Sequence, residues 1–252
     1  MHFDIMLIGV GGTGGCFFTK LVRFLSDIKL EKIDITFRIM DGDFVEAKNL
    51  GRQPFTEDDI GKNKAIALAS AAEEVLGVKV RAYPEYLSPN NLSILDWSEN
   101  RSMSSNNVRI LIGAVDNHAC RKLLHQYFLD YNRFETLFYI DAANEFSCGE
   151  IVIGKKQYRK IITPDRVHYF PDVMEDTGKP VYEMSCEELN QVLPQHLATN
   201  SLAADNMFSY VVQVISAGEL SHKAPAGIIY FDSMQIFTRF DIYEEEIHGK
   251  IE

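Results

Sequence analysis

None of the four cysteines, Cys16, Cys120, Cys148 and Cys186, belongs to a Cys-x-x-Cys pair. The common tetrathiolate zinc spacing is therefore missing, and no structural zinc is expected. No run approaches the roughly 20 apolar residues needed to span a bilayer, so no membrane partner is expected. The opening MHFDIMLIGV has no basic segment ahead of its apolar stretch and reads directly as a strand, not as a signal peptide. A cytoplasmic protein with free thiols is the resulting expectation. Basic residues are also scarce: 25 Lys and Arg stand against 36 Asp and Glu, a formal charge of −11. That balance argues against a nucleic-acid backbone as the main partner, which needs clustered cations. A nucleotide needs only a few local donors and is not excluded.

What is present is the pattern of an α/β protein. Residues 3–9 read as a short buried strand ending at a glycine, and 13–27 carry Phe17, Leu21, Phe24 and Leu25 at helical spacing. Residues 33–40 read as a second strand, completing one βαβ unit. A helix over 62–76, a strand over 78–83, a strand over 108–112, a helix over 118–131 and a strand over 136–141 follow. Later strands are expected at 149–153 and 227–240, the second a hairpin around Asp232–Ser233, with a helix over 199–216. Residues 98–107 read as a flexible insertion. Residues 155–198, with four prolines and little periodicity, read as a long irregular crossover segment. The expectation is a single domain, 1–252: α/β, a Rossmann-like doubly wound, mostly parallel sheet with additional antiparallel C-terminal strands.

The first strand runs into Gly9-Val10-Gly11-Gly12-Thr13-Gly14, a G-x-G-x-x-G pattern between strand and helix. Glycines allow a tight turn and close backbone approach, and the helix N-terminus offers free N–H groups to phosphate. Asp41 ends the second strand, where a carboxylate can accept hydrogen bonds from ribose hydroxyls. These features suit NAD, FAD or ATP alike.

A polar run follows: Asp41-Gly-Asp43-Phe-Val-Glu-Ala-Lys-Asn49-Leu-Gly-Arg52-Gln53, then Asp59-Ile-Gly61-Lys-Asn-Lys64. It resembles the D-x-D-x-V-x-x-x-N-L-x-R-Q…D-x-G-x-x-K signature of the ThiF, MoeB and ubiquitin-activating enzymes. The resemblance implies that Asp41 holds ribose and that Asn49, Arg52 and Lys64 gather around a triphosphate, with Gln53 nearby. Chemistry supplies the reason. A carboxylate attacking the α-phosphate brings two anions together, and cations must offset their repulsion and the charge on departing pyrophosphate. Arg52 suits bidentate contact with phosphate, and Lys64 acts as a point charge. The attacking carboxylate is already ionised, so no general base is needed.

Val108-Arg-Ile-Leu-Ile-Gly-Ala-Val-Asp116-Asn117-His118 delivers Asp116 from the end of a buried strand. The resemblance implies that Asp116 holds magnesium; capping of the helix near His118 is the plainer reading. Asp141-Ala-Ala-Asn144…Gly149-Glu-Ile-Val-Ile-Gly154, Ser185-Cys186-Glu-Glu-Leu and Asn200-Ser-Leu-Ala203 are similar to elements of the ThiF proteins of PRTRC-type gene systems. The resemblance spans about residues 4–240 and is densest over 7–64 and 108–154.

Only eight residues precede Gly9, so an arginine that bacterial relatives carry on an N-terminal helix is expected to be missing or to come from elsewhere. By resemblance, Cys186 can take the activated carrier as a thioester, although Glu187 and Glu188 should raise its pKa. Cys16, Cys120 and Cys148 are expected to pack within the fold.

The implied activity is ATP- and Mg2+-dependent adenylation of the C-terminus of a small ubiquitin-like carrier protein, by a homodimer. Two alternatives are an NAD-dependent oxidoreductase, which leaves Asn49, Arg52, Gln53 and Lys64 without a role, and a scaffold that binds nucleotide or carrier without turnover.

Overall fold

The computed structural model describes residues 1–27, 33–96, 107–178 and 197–244. Strand β1 (His2–Ile8) is buried along its whole length, as a parallel strand covered on both faces must be. It leads through the glycine turn into α1 (Gly12–Asp27) and then β2 (Asp34–Met40). Helix α2 (Lys64–Leu76) is capped by the Asn63 side chain, which accepts from the Ile66 N–H, and ends at Gly77 in the left-handed conformation. Next come β3 (Arg81–Tyr83), β4 (Val108–Gly113), α3 (His118–Asp130) and β5 (Thr136–Asn144).

From there the chain turns back on itself. β6 (Cys148–Gln157) pairs antiparallel with β5 and with β7 (Lys160–Thr163), and the short helices α4 (Arg166–Tyr169) and α5 (Asp172–Glu175) follow. Helix α6 (Leu197–Ser216) then leads to the hairpin of β8 (Gly227–Asp232) and β9 (Phe237–Ile242).

Among the described residues, nine strands form one sheet, ordered β3-β2-β1-β4-β5-β6-β8-β9, with β7 on β6. The five strands β1–β5 are mutually parallel. Helices cover both faces. Phe17 and Leu21 of α1, Ala65 and Leu68 of α2, and Met207 and Val211 of α6 join Phe3, Ile5 and Leu7 in one core. Leu124 and Phe128 of α3 join Met6, Ile8 and Leu111 in the other. Helices α1 and α6 pack together, with Phe24 edge-on to Phe208 at 6.0 Å between ring centres. Buried in the sheet, Arg38 grips Asp4 through two hydrogen bonds of 2.9 and 2.7 Å and also donates to the Ile94 carbonyl at 2.7 Å. No helix among the described residues is long and apolar enough to cross a membrane.

Several expectations need correction. Only Arg81–Tyr83 of the expected 78–83 strand pairs in the sheet. The strand expected at 149–153 runs from Cys148 to Gln157 and turns into β7, so the start of the 155–198 segment is sheet. The two-residue turn, Tyr158-Arg159, holds both φ angles positive, at 49° and 69°. Such turns usually announce themselves by Asn-Gly or Asp-Gly, and here that signal is absent. Residues 179–196, and with them Cys186, Glu187 and Glu188, lie outside the described residues. Most of the expected 98–107 insertion does too.

Candidate active site

The strand order reverses between β1 and β4, where the chain leaves β1 toward one face and β4 toward the other. In open α/β sheets the crevice beyond the carboxyl ends at this point collects ligands. The glycine turn after β1 and the Ala114–Asn117 loop after β4 both lie here.

Each glycine of the turn has its own reason. Gly9 has φ of +86°, and a Cβ there would meet the Ala114 carbonyl oxygen at 2.6 Å. A Cβ on Gly14 would lie 2.0 Å from the Gly9 carbonyl oxygen, because α1 begins directly against the end of β1. A Cβ on Gly12 would lie 2.3 Å from Asn200 Nδ2. At Gly11 nothing lies within 4 Å, so a ligand has room to approach the backbone there.

Asp41 is buried and accepts hydrogen bonds from the backbone N–H groups of Val10, at 2.7 Å, and Asp43, at 2.8 Å. Its carboxylate thus ties the glycine turn to the end of β2 and keeps lone pairs to spare. Burial, with the Asp43 charge next in importance, pushes its pKa up to about 6. Asp43 moves the other way. Burial alone would raise it, but the Lys64 ammonium at 2.7 Å and hydrogen bonds from Lys64 and the Tyr86 hydroxyl hold it below the usual range. Lys64 is itself buried at the first position of α2, and its backbone N–H donates to the Asp43 carbonyl at 2.9 Å.

Asp41, Asp43, Glu85, Tyr86 and Asp116 line a cavity of about 90 Å³ whose apolar wall includes Ile8, Met40, Leu87, Val115 and Cys120. Asp116 is exposed, and among the described residues it makes no hydrogen bond or ion pair. It does not cap α3: the neighbouring Asn117 does, accepting from the Cys120 N–H at 2.8 Å. His118 lies in the first turn of α3, as expected of a helix-start residue. Beneath this edge Arg121 and Arg166 both reach the buried Asp141, and Arg121 also donates to the carbonyls of Val115 and Ala142. That network fixes the loop carrying Asp116, and its contribution was not visible in the sequence.

Arg52 and Gln53 lie elsewhere. They line a groove of about 350 Å³ beside α1, together with Lys20, Arg23, Leu197 and Ser201. Asn49 is buried, and its side chain accepts from the Glu46 N–H at 2.8 Å. Its carbonyl accepts from the N–H groups of both Arg52 and Gln53, so Asn49 shapes the turn that carries them. Gln53 Oε1 is buried without a hydrogen-bond partner. Of the thiols expected to pack, Cys120 is buried and Cys16 half-buried, but Cys148 is exposed at the start of β6. Among the described residues no three His, Cys, Asp or Glu side chains form a cluster able to hold a metal.

A parallel sheet with a glycine turn and acidic strand ends at its switch point defines the Rossmann-like class. Within that class, a model of the ThiF family matches residues 1–145, more than half of the chain, and the chain belongs to this family. Nothing in the comparison distinguishes the PRTRC-type branch.

Several solved structures share the fold. A selenomethionine crystal structure of PaaA has a TM-score of 0.60 and 19% identity, covering 94% of this chain and 62% of PaaA. The microcin C7 biosynthetic enzyme MccB, in complex with N-formylated MccA, has a TM-score of 0.59 and 17% identity, covering 98% and 67%. E. coli MccB with ATP has a TM-score of 0.56 and 16% identity, covering 98% and 66%. The chain thus spans less than two thirds of the length of PaaA. No curated protein sequence matches it.

Proposed function

We propose that the chain binds ATP at this sheet edge and adenylates the C-terminal carboxylate of a small ubiquitin-like carrier, releasing pyrophosphate. The observation that carries the reading is the convergence of Asp41, Asp43 and Asp116, with Lys64 bonded to Asp43, at the switch point of a ThiF-family sheet. E. coli MccB was solved with ATP, which supports the nucleotide on the same fold.

The acidic, partly apolar cavity suits a nucleoside and not a phosphate: Asp41 accepts ribose hydroxyls there, and the apolar wall takes a base. The phosphates lie instead toward Gly11–Gly14 and the start of α1, where the helix dipole and free N–H groups favour anions. Arg52 and Lys64 supply the cations that lower the barrier to attack. Lys64 leaves its pairing with Asp43 in part, since an ammonium has three donors and Asp43 takes one.

A magnesium ion fits the donor set, because this cation uses one or two carboxylates and completes its shell with phosphate oxygens and water. Asp116, exposed and unpaired among the described residues, is the side chain for that contact. When bound, the ion would neutralise phosphate charge. The whole chain serves as one adenylation domain in a cytoplasmic homodimer, and Cys186 is the thiol for any covalent carrier adduct.

The test is ATP–pyrophosphate exchange with Gly-Gly-ending carrier candidates. Arg52→Ala, Lys64→Ala and Asp116→Ala should each slow adenylate formation by roughly 10²–10³. Wild-type rates in all three folded variants would place the site elsewhere. Thermal stabilisation by NAD in preference to ATP would overturn the adenylation reading itself.

A further inference from the structure

Three polar side chains from three distant parts of the sequence meet at the start of α1. Thr13 Oγ1 lies 3.3 Å from Asn144 Oδ1 and 3.1 Å from Asn200 Oδ1. Asn144 Nδ2 donates to Asn200 Oδ1 at 2.8 Å. Asn144 ends β5, and Asn200 stands in the first turn of α6. Asn200 is only 1% exposed, and its Oδ1 is occupied by the Thr13 and Asn144 donors. That fixes the amide, so its Nδ2 faces the opposite way.

Among the described residues Asn200 Nδ2 has no acceptor. It lies against Gly12, the first residue of α1, at 2.3 Å from where a Cβ would stand. An amide donor left without a protein partner in this way is free to bond a ligand oxygen. At the same place a helix of 16 residues presents its N-terminus, where N–H groups lack intrahelical partners and negative charge is favoured. Beside it, the space over Gly11 is open.

We infer that Asn200 Nδ2 contacts an oxyanion held at the start of α1, with Asn144 and Thr13 as the positioning residues that aim it. The inference rests on the adenylation reading, which supplies two oxyanions for this place: the carrier's terminal carboxylate and the nucleotide phosphate. Asn200 thereby contributes to recognition of the reacting groups, beyond the role of Gly12 in letting the two helices approach.

Asn200→Asp separates this role from a structural one. It keeps an oxygen to accept from Thr13 and Asn144 but replaces the Nδ2 donor with a second, anionic oxygen. Two readouts are measured on the full chain: calorimetric affinity for ATP alone, and KM for the carrier in pyrophosphate exchange. A loss of at least about tenfold in ATP affinity assigns the contact to phosphate. A tenfold rise in carrier KM with ATP affinity retained assigns it to the carboxylate. Either supports the inference.

Wild-type values for both, in a variant with native circular dichroism and an unchanged unfolding midpoint, overturn it. Where Asn200→Asp does not fold, Asn200→Ser withdraws the amide while keeping a small acceptor, and the same criteria apply. A wild-type protein that neither binds ATP nor exchanges pyrophosphate refutes the adenylation reading, a result distinct from normal exchange in the variant.

Discussion

Replacing Asp41 with Asn should change how stability depends on pH, in a direction fixed by the burial of this carboxyl. The group sits in the core edge with both oxygens on backbone N–H groups, and its pKa rises from an ordinary 3.8 to about 6. At about 1.4 kcal/mol per tenfold change in proton affinity, the rise corresponds to about 3 kcal/mol. The folded state holds the proton more tightly than the unfolded state. The stabilisation from protonation is therefore complete below pH 3.8 and lost as pH rises through about 6.

Asp41→Asn cannot titrate, and its single amide oxygen leaves either Val10 N–H or Asp43 N–H without its acceptor. That loss costs about 1–3 kcal/mol at every pH. Urea unfolding of both proteins, in steps from pH 4 to 7, isolates the group from the other carboxylates. The wild-type advantage should shrink by about 2 kcal/mol across the window. A difference constant to within about 0.5 kcal/mol would refute the account of Asp41 as a buried, raised carboxyl. Adenosine, which has no phosphate to titrate, gives the functional counterpart: its affinity should rise with pH through about 6 in the wild type and stay level in Asp41→Asn.

Other outcomes follow from the same geometry. Gly14→Ala places a methyl 2.0 Å from the Gly9 carbonyl oxygen, so urea unfolding should show a loss of about 3 kcal/mol or no folded protein; a loss under 1 kcal/mol would mean the turn relaxes freely. Asn117→Ala removes the α3 cap and should cost about 1 kcal/mol in the same assay, whereas Asp116→Ala should cost little. Light scattering at micromolar concentration should report twice the 28.6 kDa of one chain, and a single-chain mass would refute the homodimer. If a carrier adduct forms, gels run with and without reductant should show a reducible band that Cys186→Ala abolishes; loss of the band in Cys148→Ala instead would reassign the thiol.

The βαβ start, the glycine turn and the family were readable along the chain, because these rest on local requirements. A turn with φ of +86° at Gly9, a strand buried on both faces and a helix N-terminus each restrict residue type at fixed spacing. The polar run from Asp41 to Lys64 was legible for the same reason, as one continuous stretch.

What depends on contacts between distant segments was not legible. The turn at Tyr158–Arg159 adopts positive φ without glycine, so only the strand pairing reveals it. The choice of Asn117 over Asp116 as cap depends on which side chain faces the Cys120 N–H. That the Asn49 side chain is buried in the turn beneath Arg52 is visible only in the structure. Thr13, Asn144 and Asn200 are separated by 131 and 56 residues, and no local pattern links them. Tertiary structure alone brings them together, because β5 ends and α6 begins beside the start of the helix that follows the glycine turn.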